Sequence, residues 1–141
     1  MVLLIDPKIK VKPKVCNCCG GKVVYIKNDL IYGKPQGSGY CYYCTCCGAY
    51  VGTHKSHPTL AMGILADSDM RYLKMFCHNI FDKMWINQRT RTMAYEGLAK
   101  VMNIPEPYCH FGYFDKPTLV KAQKILINMS LKGESFLDGK M

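Results

Sequence analysis

The hydrophobic and polar positions change period part-way along the chain. Residues 8 to 15 read Lys-Ile-Lys-Val-Lys-Pro-Lys-Val, an alternation that puts every lysine on one side of an extended strand. Either a charge-protected edge strand or an arm that tracks phosphates fits that pattern. Lys22 to Ile26, the Asn28-Asp29 pair and Leu30 to Tyr32 predict a β-hairpin. A polar, glycine-rich loop from Gly33 to Gly39 follows, then short strands around Tyr40 to Tyr43 and Ala49 to Thr53.

After His57-Pro58 the apolar positions recur at helical spacing. Asp67 or Ser68 opens a helix whose buried face holds Met70, Leu73, Cys77, Ile80, Phe81 and Met84. A second helix starts at Thr90 or Thr92, uses Tyr95, Leu98, Ala99 and Met102, and closes at Asn103 and Pro105. A third starts at Asp115 with Pro117, buries Leu119, Ala122, Leu126 and Met129 with Ile125 beside them, and ends at Gly133. The predicted organisation is a basic arm or edge strand over 1–14, a β unit over 15–57, a helical part over 58–132 and a tail over 133–141.

Nine cysteines fall within this pattern, an odd count with close clusters that suits thiolate ligation better than a disulfide framework. Two five-residue knuckles stand out, Cys16-Asn17-Cys18-Cys19-Gly20 and Cys44-Thr45-Cys46-Cys47-Gly48. Two residues between thiolates let both sulfurs reach one tetrahedral ion, and the glycine that follows tolerates positive φ where the chain turns away. The 24 residues between Cys19 and Cys44 suffice for a hairpin and a return strand. Cys16, Cys19, Cys44 and Cys47 are therefore the predicted ligands of one structural zinc ion. Cys18 and Cys46 leave too few residues between ligands, and the Cys41/Cys44 pair lacks the trailing glycine. With four thiolates available, His54 is not needed as a ligand. Cys18, Cys41, Cys46, Cys77 and Cys109 read as ordinary reduced side chains. A closed four-thiolate set leaves zinc no open position, so it stabilises and does not activate water. The resulting fold class is α+β: a four-cysteine zinc ribbon of β-hairpins packed on a small bundle of about three helices, with Phe81, Trp85 and Tyr95 in its core.

The sequence of 141 residues carries 19 Lys and Arg against 10 Asp and Glu, a formal net charge of +9 that favours polyanionic partners. Asp6-Pro7 cuts short the apolar run at Met1 to Ile5, which lacks a basic start and a cleavage site, so no signal peptide is expected. No segment carries about eighteen apolar residues in a row. A cytoplasmic protein is the expectation, with neither a membrane nor a small-molecule partner. Candidate nucleic-acid contacts are Lys8, Lys10, Lys12 and Lys14 in the arm, and Arg89, Arg91, Lys121 and Lys124 near the helices.

The chain resembles the zinc-finger-containing domain family of unknown function found in bacteriophages, prophages and their hosts, over about residues 15 to 128. The resemblance begins at Cys16-x-x-Cys19-Gly and Ile31-Tyr32-Gly33, and is most specific at Cys47-Gly48-Ala49-Tyr50-Val51-Gly52-x-His54. It continues through Leu65-Ala66, Arg71, His78, Phe81-Asp82, Trp85, Ala94-Tyr95 and Leu98-Ala99 to His110-x-Gly112-x-Phe114-Asp115. Cys18 and the short loop at Leu60 depart from the family pattern. The resemblance implies zinc and a viral or mobile-element context, with residence in a bacterial host cell or association with the virion.

Three functions follow as expectations. The first is a non-enzymatic accessory protein that binds nucleic acid or a complex acting on it, from phage or host machinery. A second is a protein-docking adaptor or virion component with a purely structural zinc. The third is a metal-dependent nuclease using His78, Asp82 and His110, since residues four apart share a helix face and a loop histidine could join them. The bland alternative for that cluster is that Asp82 bonds His78 or Trp85, His110 packs between helices and Asp115 caps a helix. The sequence lacks HEXXH, a glycine-rich phosphate loop and a nucleophile elbow, and so favours a protein that is not an enzyme. A helix-turn-helix is disfavoured by the fourteen residues from Asn103 to Lys116, far longer than the usual turn.

Overall fold

A computed structural model describes residues 12–137. They form two compact units, which divide after Arg71.

The first unit is built on an antiparallel sheet of three strands in the order β1 (Val23–Lys27), β2 (Tyr40–Cys44), β3 (Tyr50–Gly52). Val23 pairs with Cys44, Tyr25 with Tyr42, and Tyr42 with Val51. Paired residues share a face, so this register separates two surfaces. One surface carries Val23, Tyr42, Cys44 and Val51, which bury with Cys16, Ala49, Ala61 and Leu65 into a single cluster. The other carries Val24, Ile26, Cys41, Tyr43 and Tyr50. The outer edge of β3 is occupied by bridges from Tyr50 to Ala66 and from Thr53 to Ala61. Tyrosine hydroxyls fasten the same return segment: Tyr25 donates to the Pro58 carbonyl at 2.7 Å and Tyr42 to that of Thr59 at 2.5 Å.

The expected second strand of the hairpin, Leu30 to Tyr32, is instead a single helical turn, α1 (Asp29–Tyr32). Gly33 ends it at φ 80°, its N–H bonded to the Asp29 carbonyl at 2.7 Å. The cause lies in Asn28, which is buried and spends its side chain on the loop that follows. Its Nδ2 donates to the Gln36 carbonyl at 2.7 Å and its Oδ1 accepts from the Gln36 N–H at 3.1 Å. The chain therefore makes a compact loop before returning as β2, and Leu30 is left 76% exposed.

Helix α2 spans Ser68–Phe81, α3 spans Gln88–Met102 and α4 spans Lys116–Leu131. Asp67 Oδ1 accepts from the Met70 N–H at 2.9 Å at the start of α2. Asn87, one turn before the expected Thr90, opens α3 through a reciprocal capping box with Thr90. Asn103 closes α3 in the left-handed region, and Asp115 caps α4 by accepting from the Thr118 N–H at 3.0 Å. The second unit packs around Phe81, whose ring lies 4.6 Å from Tyr95, 5.5 Å from Phe111 and 6.0 Å from Phe136, centre to centre. Leu98, Met102, Leu119, Ala122 and Leu126 complete its buried interior. Phe81 and Tyr95 are core residues as expected, whereas Trp85 is half-buried.

Candidate metal centre

The two knuckles share the same pair of backbone bonds. In the first, the Cys16 N–H donates to the Gly21 carbonyl and the Gly20 N–H to the Cys16 carbonyl, both at 2.9 Å. In the second, the Cys44 N–H donates to Ala49 at 2.8 Å and the Gly48 N–H to Cys44 at 3.1 Å. Gly20 and Gly48 make the turn at φ 78° and 80°, where a side chain would be strained. Each curl aims backbone N–H groups at sulfur. Cys18 donates to Cys16 Sγ at 3.3 Å and Gly21 to Cys19 Sγ at 3.4 Å, while Cys46 and Cys47 donate to Cys44 Sγ at 3.3 and 3.4 Å. Such donors stabilise thiolate, the form that ligates metal.

All four sulfurs of Cys16, Cys19, Cys44 and Cys47 lie within 4.8 Å of one another. Cys16 Sγ is 3.7 Å from Cys47 Sγ, and Cys19 Sγ is 3.5 Å from Cys44 Sγ. A tetrahedral ion with bonds of about 2.3 Å needs sulfurs separated by about 3.8 Å, so the set fits zinc in size, number and chemistry. Electrostatics match. The Cys47 N–H holds the Cys44 thiol down at about 6 against its burial, with help from the Cys46 N–H and the neighbouring thiols of Cys19 and Cys47. Its partner Cys19 is drawn down by the Gly21 N–H but pushed up more strongly by the surrounding thiols, to about 12. A metal ion bound by these four sulfurs would displace the thiol protons.

The remaining cysteines lie outside this set. Burial, then the charge of Cys16, pushes Cys18 up to about 11, and its thiol faces the Leu65 carbonyl at 3.6 Å and Met70 Sδ at 3.7 Å. Cys46 is exposed, and Cys41, Cys77 and Cys109 are buried. His54 is exposed and is not among the grouped ligand atoms. Sequence reasoning missed Asn17 and Gly21, which shape the knuckles without belonging to the ligand set. A Cβ on Gly21 would stand 2.5 Å from Cys46 Cβ and 3.0 Å from Cys44 Sγ, a closeness that only the folded site reveals.

In the helical unit His78 Nδ1 lies 3.9 Å from Asp82 Oδ2, and the other oxygen of Asp82 accepts from Trp85 Nε1 at 3.1 Å. His110 packs against Tyr95, ring centres 5.6 Å apart. Among the described residues, the four cysteines are the one group that brings three or more metal-ligating side chains together. Lys8 and Lys10 lie outside the described residues, while Lys12 and Lys14 lead into the Val15–Lys22 bridge. Arg89 and Lys124 are exposed, Arg91 is half-buried, and Lys121 Nζ donates to the Met102 carbonyl at 3.1 Å.

The sequence profile of a family described as a zinc-finger-containing domain matches residues 12–129. The chain belongs to that family. The match covers both knuckles of the zinc finger and most of the helical unit, in agreement with the resemblance seen in the sequence. No curated protein and no solved structure is significantly similar to this zinc-finger chain. None of its described helices is long and apolar enough to cross a membrane.

Proposed function

We propose that the protein is a non-enzymatic nucleic-acid-binding accessory factor, held in shape by one zinc ion per chain and encoded by a phage or prophage. One observation carries the reading: the sheet face opposite the one that carries Cys44 forms an open groove of about 620 Å³ with an aromatic and aliphatic floor, bounded at one end by Thr45 and Gly48 of the second knuckle. Val24, Ile26, Tyr43 and Tyr50 line it together with Leu30 and Ile31 of α1. By strand alternation Lys22 continues the row of Val24 and Ile26, and the Arg71 guanidinium lies 4.1 Å from the centre of the Tyr50 ring. An apolar, tyrosine-bearing floor with cations at its rim suits bases that stack while phosphates meet charge, and the net charge of +9 adds long-range attraction. A protein-docking role is the second reading, favoured by Leu30, 76% exposed at the lip of the groove.

The test is binding of fluorescent single-stranded DNA and RNA across a salt series. Each phosphate contact contributes about 0.7 to 0.9 to the slope of log affinity against log salt, so changing Lys8, Lys10, Lys12 and Lys14 to Gln should flatten it. Tyr43→Leu should weaken binding by about 5- to 150-fold, the effect of one lost stacking contact of about 1–3 kcal/mol. No binding even at low salt defeats the reading and leaves the docking role in its place.

A further inference from the structure

We propose that Arg91, with the His78 and His110 imidazoles beside it, forms a binding site for one phosphate group of a nucleic-acid chain. The inference rests on the nucleic-acid reading for the identity of its ligand, and on the helical unit alone for its geometry.

Three segments converge here. The last turn of α2 supplies His78, the first turn of α3 supplies Arg91, and the stretch between α3 and α4 supplies His110. Buried Tyr95 packs against two of them, with Arg91 Cζ 4.9 Å from its ring centre and the His110 ring 5.6 Å away, and its ring lies 6.4 Å from that of Phe111. Arg91 also lies 5.8 Å from the centre of the Trp85 ring. His78 packs edge-on against Phe111 at 4.8 Å. Ring faces therefore fix the guanidinium, and among the described residues no carboxylate pairs with it. Asp82 is committed to Trp85 Nε1 at 3.1 Å and faces His78 at 3.9 Å.

A planar guanidinium held in place without an acidic partner suits a phosphate, which it meets through two parallel N–H bonds. The imidazoles suit the same ligand. Burial first, and then the Arg91 charge, lowers the pKa of both histidines, against the opposing pull of Asp82 on His78 and of Glu106 on His110. Lys74 acts on His78 in the same sense as Arg91. A phosphate bound beside Arg91 reverses that sign, because it cancels the cation and favours imidazolium. Half-buried Trp85 adds a flat surface for an adjoining base. A metal ion fits less well, since His78, Asp82 and His110 do not bring three ligand atoms together.

The experiment follows the histidine ring signals by NMR through a pH titration of the zinc-loaded full chain, alone and with three probes: inorganic phosphate, thymidine monophosphate and a short oligothymidylate. The expected result is an upward pKa shift of His78 and His110 by about one unit with the oligonucleotide. Arg91→Gln should remove the shift and weaken oligonucleotide binding at least tenfold, and Arg91→Lys should restore part of both. If the oligonucleotide binds and neither histidine moves, this site is overturned while the nucleic-acid reading stands. If phosphate or the nucleotide moves both histidines and the oligonucleotide does not bind, the site stands for a free phosphate ester and the nucleic-acid reading falls. If no probe moves either histidine, the site is overturned. The wild-type titration decides the matter even if Arg91→Gln folds poorly.

Discussion

The side-chain amide of Asn17 brackets the backbone of Leu65: its Oδ1 accepts from the Leu65 N–H at 2.9 Å, and its Nδ2 donates to the Leu65 carbonyl at 2.8 Å. One side chain thereby imitates a rung of antiparallel sheet and ties the first knuckle to the segment that covers the buried cluster. Asn17→Ala leaves both groups of buried Leu65 without these partners and should cost about 1–3 kcal/mol. Asn17→Asp keeps the acceptor and loses the donor, so it should fall between. Urea unfolding of the zinc-loaded protein measures the order.

Gly21 sets a second expectation. Its counterpart in the second knuckle is Ala49, whose side chain is fully buried, so the two knuckles share a backbone but not a tolerance. Gly21→Ala forces a methyl against Cys46 and the Cys44 sulfur, and should destabilise by about 1–3 kcal/mol and speed zinc release to a chelator. Ala49→Gly only removes a methyl, about 0.8 kcal/mol of burial, and should release zinc at close to the wild-type rate. Equal release from the two variants would contradict the crowding argument.

Elemental analysis of the purified, reduced protein should find one zinc per chain. Cys19→Ser and Cys47→Ser should lose it and unfold the β unit, because a ribbon of this size draws much of its folding free energy from the metal. Cys18→Ser and Cys46→Ser should keep it. Loss of zinc from Cys18→Ser with retention in Cys16→Ser would assign the ligands differently.

The histidines predict a pH dependence. Burial is the main cause that holds both His78 and His110 below the ordinary value of 6.5, so the unfolded chain takes up protons more readily than the folded one. The stability they contribute is complete above pH 6.5 and is lost as pH falls through their folded values. Thermal unfolding followed by the fluorescence of Trp85, the single tryptophan, should show a melting temperature that drops between pH 7 and about pH 5. Replacing both histidines by Gln should flatten that drop. A wild-type melting temperature that rises on acidification would reverse the sign of the argument.

The parts of the structure legible in the sequence are those fixed by spacing. The knuckles could be read because ligation demands two residues between thiols and a turn after them. The helices were legible because Leu73, Cys77, Phe81 and Met84 must all reach one side. Leu30 to Tyr32 could not be read, since three residues are too few for a period of two to differ from one turn of helix, and the deciding contacts of Asn28 reach Gln36 across a loop. Asn17 was equally hidden: its partner is 48 positions away, and the residue in its place in the other knuckle is Thr45, whose hydroxyl donates to the Lys22 carbonyl at 3.0 Å instead.

Cys44 is both the last residue of the central strand and a member of the thiol set. A slip of β2 by one position would send this sulfur to the opposite face of the sheet, out of reach of the other three. A metal ion held by all four sulfurs would therefore select the observed register of β2, because only that register keeps Cys44 on the face of the other three ligands.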